Sequence, residues 1–216
     1  MRRLTLTCLA ILLLSACYAK VEEQPTGPFD FRKTRWGMSR REVLSSEREE
    51  PIYKSLNRLL YATSVIDKQV MLQYDFGNDQ LYRARYILVA KHVVDDKYVT
   101  DYQDIQGVLT AKYGKPKRNE TIWKKGAGIR HDLQPGVSVS IGHLTMVSEW
   151  ETPQTEIIAA LSGKDFKIQC EVTYTSKVYQ PLVQSSDQTD PSLGGQGGEL
   201  GNAFENKALQ DATRNF

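Results

Sequence analysis

Side chains that could carry out chemistry are few in this sequence and stand far apart. The histidines and cysteines are His92, His131, His143, Cys8, Cys17 and Cys170. Zinc sites use Cys-x-x-Cys pairs, or histidines spaced so that two ring nitrogens meet on one helix face. No such pair occurs, and the Gly-x-Ser-x-Gly and phosphate-loop patterns are missing as well. The sequence therefore predicts no metal, no cofactor and no catalytic residue.

Two pairs of acids could still meet in space, Asp95 with Asp96 and Asp101 with Asp104. General acid–base catalysis needs only two carboxyl groups whose surroundings separate their pKa values. Both pairs lie near the start of a predicted helix, where the helix dipole stabilises negative charge. We expect a structural role for these acids, with an unrecognised hydrolase as an alternative.

Cys17 follows a short apolar segment at the start of the chain. Arg2 and Arg3 precede an apolar stretch from Leu4 to Ala16, shorter than the roughly 20 residues that cross a bilayer. A basic start, a short apolar middle and small residues at the end are typical of a secretory signal peptide. The sequence predicts that this segment is a signal peptide that is removed on export.

The residues Leu14-Ser15-Ala16-Cys17 resemble the lipobox of bacterial lipoproteins. The resemblance implies that the Cys17 thiol is acylated and that the chain is cut in front of it. Each buried CH₂ contributes about 0.8 kcal/mol, so two or three acyl chains anchor a protein durably. By the sorting rule of Gram-negative lipoproteins, Tyr18 in place of Asp implies transport to the outer membrane, facing the periplasm. The alternative is a plain signal peptide cut after Ala19.

Removal of residues 1–16 takes away two of the 28 basic residues and no acid, which leaves 26 basic and 26 acidic residues. A neutral exported chain lacks the positive footprint of a nucleic-acid-binding protein, so we expect no nucleic acid partner. With Cys8 removed and Cys17 acylated, Cys170 has no disulfide partner. It alternates with apolar residues, which predicts a buried, inert thiol.

Composition divides the mature chain into three parts. Residues 17–28 are polar and contain Pro and Gly, which indicates a tether. Residues 29–177 have the mixed composition of one folded domain. Residues 178–216 are dominated by Gln, Ser, Asp and Gly and are predicted to be a disordered tail, because they could bury too little apolar surface to offset the ordering entropy.

Apolar periodicity and capping residues predict the elements of the domain. Ser39 and Glu42 have capping-box spacing, which predicts a helix from Arg40 to Glu49. A second helical stripe runs from Lys97 to Tyr113 and ends at Gly114. Strands are predicted at 58–66, 69–76, 80–92, 120–124, 138–141, 144–150, 156–161 and 166–175, with turns at Gly77-Asn78-Asp79 and Ser162-Gly163-Lys164-Asp165. We expect an α+β fold in which two helices pack on one face of an antiparallel sheet of about seven strands, arranged as two helix-plus-meander units.

Two stretches, Gly37-Met38-Ser39-Arg40-Arg41-Glu42-Val43 and Tyr113-Gly114-Lys115-Pro116, resemble turns found in two related groups. One is the SmpA/BamE-like family of outer-membrane lipoproteins, and the other is the β-lactamase-inhibitor-like domains. The resemblance implies a bacterial lipoprotein built from tandem helix-plus-meander units. It covers short motifs, and no partner-binding residue is carried over from either group.

We therefore expect a lipid-anchored, non-enzymatic lipoprotein of the bacterial envelope. Its partners are the membrane, through acylated Cys17, and an envelope protein that it binds or helps to assemble. The sequence names neither that protein nor the oligomeric state. A periplasmic domain that binds a small molecule or lipid on a face of its sheet is the first alternative, and a hydrolase is the second.

Overall fold

A computed structural model describes residues 28–126 and 132–179 of the 216-residue chain. The predicted signal peptide, Cys17, and almost all of the predicted tether and tail lie outside the described residues.

The described residues form three helices and eight strands. The helices are α1 (Arg40–Ser46), α2 (Asp96–Tyr113) and α3 (Pro135–Ser140). The strands are β1 (Tyr53–Lys54), β2 (Arg58–Val65), β3 (Lys68–Gly77), β4 (Gln80–Leu88), β5 (Arg118–Trp123), β6 (Leu144–Glu151), β7 (Thr155–Lys164) and β8 (Lys167–Ser176). The α+β class and the single antiparallel sheet are confirmed, and the expected number of strands is close to the eight observed.

The strands of the sheet follow the order β1-β2-β3-β4-β8-β7-β6-β5, and each pair of neighbours is antiparallel. Strands β1 to β4 form one meander and β5 to β8 form the other. The two meanders join where Ala84 of β4 lies opposite Tyr174 of β8. Helix α1 precedes the first meander and α2 precedes the second, while α3 lies between β5 and β6.

Local sequence signals explain several element ends. The Ser39 hydroxyl accepts the Glu42 backbone N–H, and the Glu42 carboxylate accepts the Ser39 N–H at 2.7 Å, so the predicted capping box is confirmed. Helix α1 ends at Ser46, three residues before the predicted end. Gly114 ends α2 with φ +83°, which glycine adopts without steric cost.

The strand predicted at 138–141 is wrong. Val137, Ser138, Val139 and Ser140 alternate with the period of a strand, yet they lie in α3, which has Pro135 in its first turn. Two glycines permit this packing: a Cβ on Gly136 would lie 2.3 Å from the backbone carbon of Asp95, and a Cβ on Gly163 would lie 2.3 Å from the carbonyl oxygen of Val139. Close tertiary contact therefore overrides the local pattern.

The turn predicted at Ser162-Gly163-Lys164-Asp165 is displaced along the chain. Strand β7 continues to Lys164, and the two residues of the turn are Asp165 and Phe166, with φ +51° and +62°. This is the left-handed backbone that two-residue hairpin turns require. By contrast, the predicted turn at Gly77-Asn78-Asp79 is confirmed, with Asn78 and Asp79 both at positive φ.

One face of the sheet forms the hydrophobic core with all three helices. Val43 of α1, Tyr102 of α2 and Val139 of α3 belong to the same buried cluster as Leu72 and Ile157 of the sheet. Tyr102 shares a 2.7 Å hydrogen bond with Ser148 on this face. Because side chains alternate along a strand, the residues between these core positions point to the opposite face.

Candidate functional site

The opposite face of the sheet carries the densest set of charged side chains in the fold. No described helix packs on it, and we call it the helix-free face. Cross-strand register places one row of side chains across six strands, since directly paired residues share a face. In order, the row is Arg58, Asp75, Arg83, Thr175, Glu156 and Glu151.

Asp75 is the centre of the basic half of this face. Its Oδ1 accepts the Nε–H of Arg58 at 2.8 Å and the amide of Gln73 at 2.7 Å. Its Oδ2 accepts the Nε–H of Arg83 at 2.9 Å, and a terminal nitrogen of Arg85 lies 3.5 Å away. Three guanidinium groups thus surround one carboxylate, which leaves this cluster with excess positive charge.

The arginines determine the protonation state of Asp75. The side chain is 3% exposed, and burial by itself would raise the pKa of the carboxyl. The charges of Arg83, Arg85 and Arg58 outweigh this effect and hold the pKa of Asp75 below its ordinary value. The carboxylate therefore stays ionised and fixes the arginine side chains on the sheet.

Arg85 retains donor capacity toward an incoming group. Its Nε is buried and has no hydrogen-bond partner among the described residues. The side chain is 22% exposed, and the guanidinium carries more N–H donors than its contact with Asp75 uses. A carboxylate or phosphate on a binding partner is the group that a guanidinium fork best complements.

The other half of the helix-free face is acidic. Five glutamates point to it from β5 to β8: Glu120, Glu149, Glu151, Glu156 and Glu171. Arg118 bridges Glu149 and Glu120 at 2.8 and 2.7 Å, and Lys177 contacts Glu151 at 2.9 Å. On β8, Thr173 and Thr175 separate this acidic half from the basic half.

A half-buried apolar strip lies on the same face, separated from the charged row by the row that contains Gln73, Arg85 and Thr173. It consists of Ala62, Met71, Ile87, Ala160 and Val147 on successive strands, with Glu171 between Ile87 and Ala160. An apolar strip bordered by charges of both signs is typical of a protein-binding surface with a hydrophobic centre and a polar rim. The helix-free face can therefore bind a partner by shape and charge.

A second titratable cluster lies at the edge of α2. The carboxylate of Asp101 is 2.6 Å from Nε2 of His92 and 2.6 Å from Nζ of Lys68, and Lys68 also contacts Asp104 at 3.0 Å. Burial would raise the pKa of Asp101, but hydrogen bonds from Lys68 and His92 and their charges lower it below the ordinary value. The acids expected at the helix start are thus joined to residues of β3 and of the loop before α2.

The positions singled out in the sequence fall in different places. Cys17 and His131 lie outside the described residues. Cys170 is a buried free thiol, and burial raises its pKa to about 12. Residues 28–126 and 132–179 contain no group of His, Cys, Asp and Glu side chains that could hold a metal ion. Within the same ranges, no helix is long and apolar enough to cross a bilayer.

The Asp75 cluster did not emerge from the sequence, because its members become neighbours only through strand register. Arg58 and Asp75 are 17 positions apart, and Arg83 is 8 positions further on. The available signal was Arg83 and Arg85 at alternate positions of a predicted strand, which places both on the polar face.

Comparison with known proteins adds no assignment. No protein-family model, no curated protein sequence and no solved structure matches this chain.

Proposed function

We propose that this chain is a lipid-anchored lipoprotein of the bacterial envelope, anchored in the outer membrane and facing the periplasm, whose domain binds another envelope protein through the helix-free face. The observation that carries the proposal is the charged row across six strands, which is basic around Asp75 and acidic around Glu156. The lipobox-like residues before Cys17 support the anchor.

Charge complementarity defines the partner surface. An acidic group on the partner would face Arg85, and a basic group would face Glu156, while an apolar patch would cover the apolar strip to one side of them. Complementary charges fix orientation and exclude wrong partners more than they add affinity, while the apolar strip supplies contact area. The domain needs no catalytic group for this role.

The topology agrees with the architecture that the resemblance implies. We infer that each half is one helix-plus-meander unit, α1 with β1 to β4 and α2 with β5 to β8. In the second unit, α3 is an insertion without a counterpart in the first. Such a pairing would produce one continuous sheet face of the kind that the proposal uses.

Site-specific photocrosslinking in cells tests the binding face. A photoreactive residue at Ile158, half-buried on the helix-free face, should crosslink to one discrete envelope protein. The same residue at Gln103, exposed on α2, is the matched control and should not capture that protein. Equal capture at both positions, or capture only at Gln103, would contradict the proposal.

Charge reversal sharpens the test. Glu156→Lys should reduce crosslinking from Ile158, because it reverses one charge in the acidic half of the face while altering only an exposed side chain. Glu49→Lys makes the same charge change at an exposed position outside the helix-free face and should leave the crosslink unchanged.

One structural observation supports each of the two alternative functions, a hydrolase and a binder of small molecules. For a hydrolase, His92 and Asp101 could act as a titratable pair. Among the described residues, however, no hydroxyl or thiol that could serve as a nucleophile hydrogen-bonds to the imidazole. A binder of small molecules would find a cavity on the helix side of the sheet.

A further inference from the structure

Two adjacent cavities open on the helix side of the first meander. The apolar one has a volume of about 220 Å³ and lies between α2 and the sheet, with Val70, Val172, Ile105 and Leu109 on its walls. The polar one has a volume of about 530 Å³ and lies beside the end of α1, against Tyr61, Thr63 and Leu72. Arg32 is the one residue on the walls of both.

A tight turn holds Arg32 between the cavities. The backbone N–H of Thr34 donates to the carbonyl of Phe31 at 2.8 Å, and the Thr34 hydroxyl donates to the same oxygen at 2.7 Å. Arg32 has φ +51°, a left-handed conformation that non-glycine residues rarely adopt. Phe31 is anchored below it, with its ring 4.8 Å from that of Tyr174 and 5.1 Å from that of Tyr86. The turn and the packing of Phe31 therefore hold Arg32 at a fixed position between the two cavities.

The guanidinium of Arg32 has capacity for another ligand. One terminal nitrogen contacts Glu47 at 3.1 Å, and the guanidinium also interacts with the hydroxyl of Tyr86. The side chain remains 33% exposed. Since a guanidinium has more donors than these two contacts occupy, it can also bind an anion.

Cations outnumber acids on the apolar cavity's walls. Arg32, Lys68 and Lys112 line it, and no acidic side chain does. Lys68 is compensated by Asp101 and Asp104. Lys112 makes no ion pair with a described acid, and its ammonium lies 4.9 Å from the centre of the Tyr113 ring. An apolar space rimmed by positive charge complements an alkyl chain that ends in an anion.

The polar cavity contains a buried donor without a partner. Tyr61 is 2% exposed, and its hydroxyl has no hydrogen-bond partner among the described residues. Burial, together with the charges of Glu47 and Glu50, raises the pKa of Tyr61 to about 12, so the hydroxyl keeps its proton. An unpaired buried hydroxyl is unfavourable, and a bound acceptor would satisfy it. Lys33 and Arg48 line the same cavity with Glu47 and Glu49, so that together with Arg32 the cations exceed the acids on its walls by one.

We infer that the two cavities form one binding cleft for an anionic amphiphile with a single alkyl chain. The chain enters the apolar cavity, and the anionic group binds Arg32 and the hydroxyl of Tyr61. One water occupies about 30 Å³ of liquid and a methylene is of similar size, so 220 Å³ holds a chain of about seven carbons. A fatty acid and a membrane lipid phosphate share this chemistry.

Calorimetric titration of the chain from residue 17 onward, carrying Cys17→Ser, tests the cleft. Octanoate represents a fatty acid, octyl phosphate represents a lipid phosphate, and octanol has the same chain without charge. We expect saturable binding of at least one of the two anions, at least tenfold tighter than that of octanol. The anion that binds more tightly shows whether the ligand is a fatty acid or a lipid phosphate. Equal affinity for octanol and both anions, or binding of neither anion, would overturn the inference.

Variants at exposed Val108, which is 45% exposed on the wall of the apolar cavity, locate the site without disturbing the core. Val108→Glu should weaken anion binding at least tenfold, because it places an acid at the rim beside Lys112. Val108→Lys is the matched control and should bind the anion as tightly as the parent chain or more tightly. Equal affinities for these two variants would place the site elsewhere.

Tyr61→Phe separates binding from folding. Because the hydroxyl has no partner in the described residues, its removal should leave the melting temperature unchanged or raise it, while anion affinity falls severalfold. Unchanged anion affinity in this variant would overturn the assignment of the Tyr61 hydroxyl to the anion.

Discussion

The Nε–H of Arg83 donates to Oδ2 of Asp75 at 2.9 Å across the β3–β4 pair, on the face of the sheet opposite the helices. Arg58 reaches the other carboxylate oxygen from β2. The two contacts hold three strands at one point and determine the charge of the basic half. Asp75 is therefore both a structural centre and the organiser of the proposed binding surface.

Asp75→Asn should destabilise the domain by about 2 kcal/mol or more. The substitution removes the carboxylate charge that Arg58, Arg83 and Arg85 share. Loss of one partner of a fully buried ion pair costs about 3–5 kcal/mol, and we expect less here because the arginine side chains remain 21–27% exposed. Urea unfolding at neutral pH measures the difference. Glu120→Gln, at an exposed acid on the same face, is the control and should change little.

The lowered pKa of Asp75 makes the stability of the domain depend on pH. The folded pKa of Asp75 is lowered, so its contribution to stability is present above the ordinary aspartate pKa of about 4 and is lost as pH falls through the folded value. The stability difference between the parent chain and Asp75→Asn should therefore shrink below about pH 4. A difference that stays constant from pH 7 down to pH 2 would contradict this role.

Gly163→Ala should destabilise the domain by about 1–3 kcal/mol. The added methyl group would lie 2.3 Å from the carbonyl oxygen of Val139, so α3 and β7 would have to separate. Gly107→Ala is the matched control: it lies within α2 with nothing within 4 Å of the added carbon. It should stabilise the chain by up to about 1 kcal/mol through helix propensity. Thermal unfolding of both variants measures the contrast, and equal shifts of the same sign would contradict the packing described.

The thiol of Cys170 should be unreactive in the folded chain. It is 2% exposed, and burial, followed by the charge of Asp101, raises its pKa to about 12, so almost no thiolate forms at pH 8. In a chain carrying Cys17→Ser and lacking residues 1–16, a thiol reagent should react slowly under native conditions and at once in denaturant. Rapid native labelling would show that the β8 core opens.

Strand alternation made most of the sheet predictable. Val70, Leu72, Tyr74 and Phe76 alternate with Met71, Gln73 and Asp75, and the four are buried on the helix side of β3 as their period predicts. The capping box and Gly114 likewise defined helix ends through local chemistry. These signals are contained within a few residues of chain.

Features that depend on distant residues could not be predicted. Helix α3 forms where Gly136 and Gly163 allow close backbone approach, although its sequence alternates like a strand. Strand β1 has two residues, too few for a period to appear. The Asp75 cluster arises from the register of β2, β3 and β4, and the cleft at Arg32 arises where a turn packs against the sheet. Neither feature produces a recognisable residue spacing in the sequence.

Metabolic labelling with palmitate, comparing the parent chain with Cys17→Ser, tests the proposed membrane anchor most directly. The parent chain should incorporate label and sediment with the membrane fraction, whereas Cys17→Ser should lose the label and appear in the soluble fraction. An unlabelled parent chain whose mature form begins at Lys20, or membrane association that Cys17→Ser leaves unchanged, would contradict the anchor.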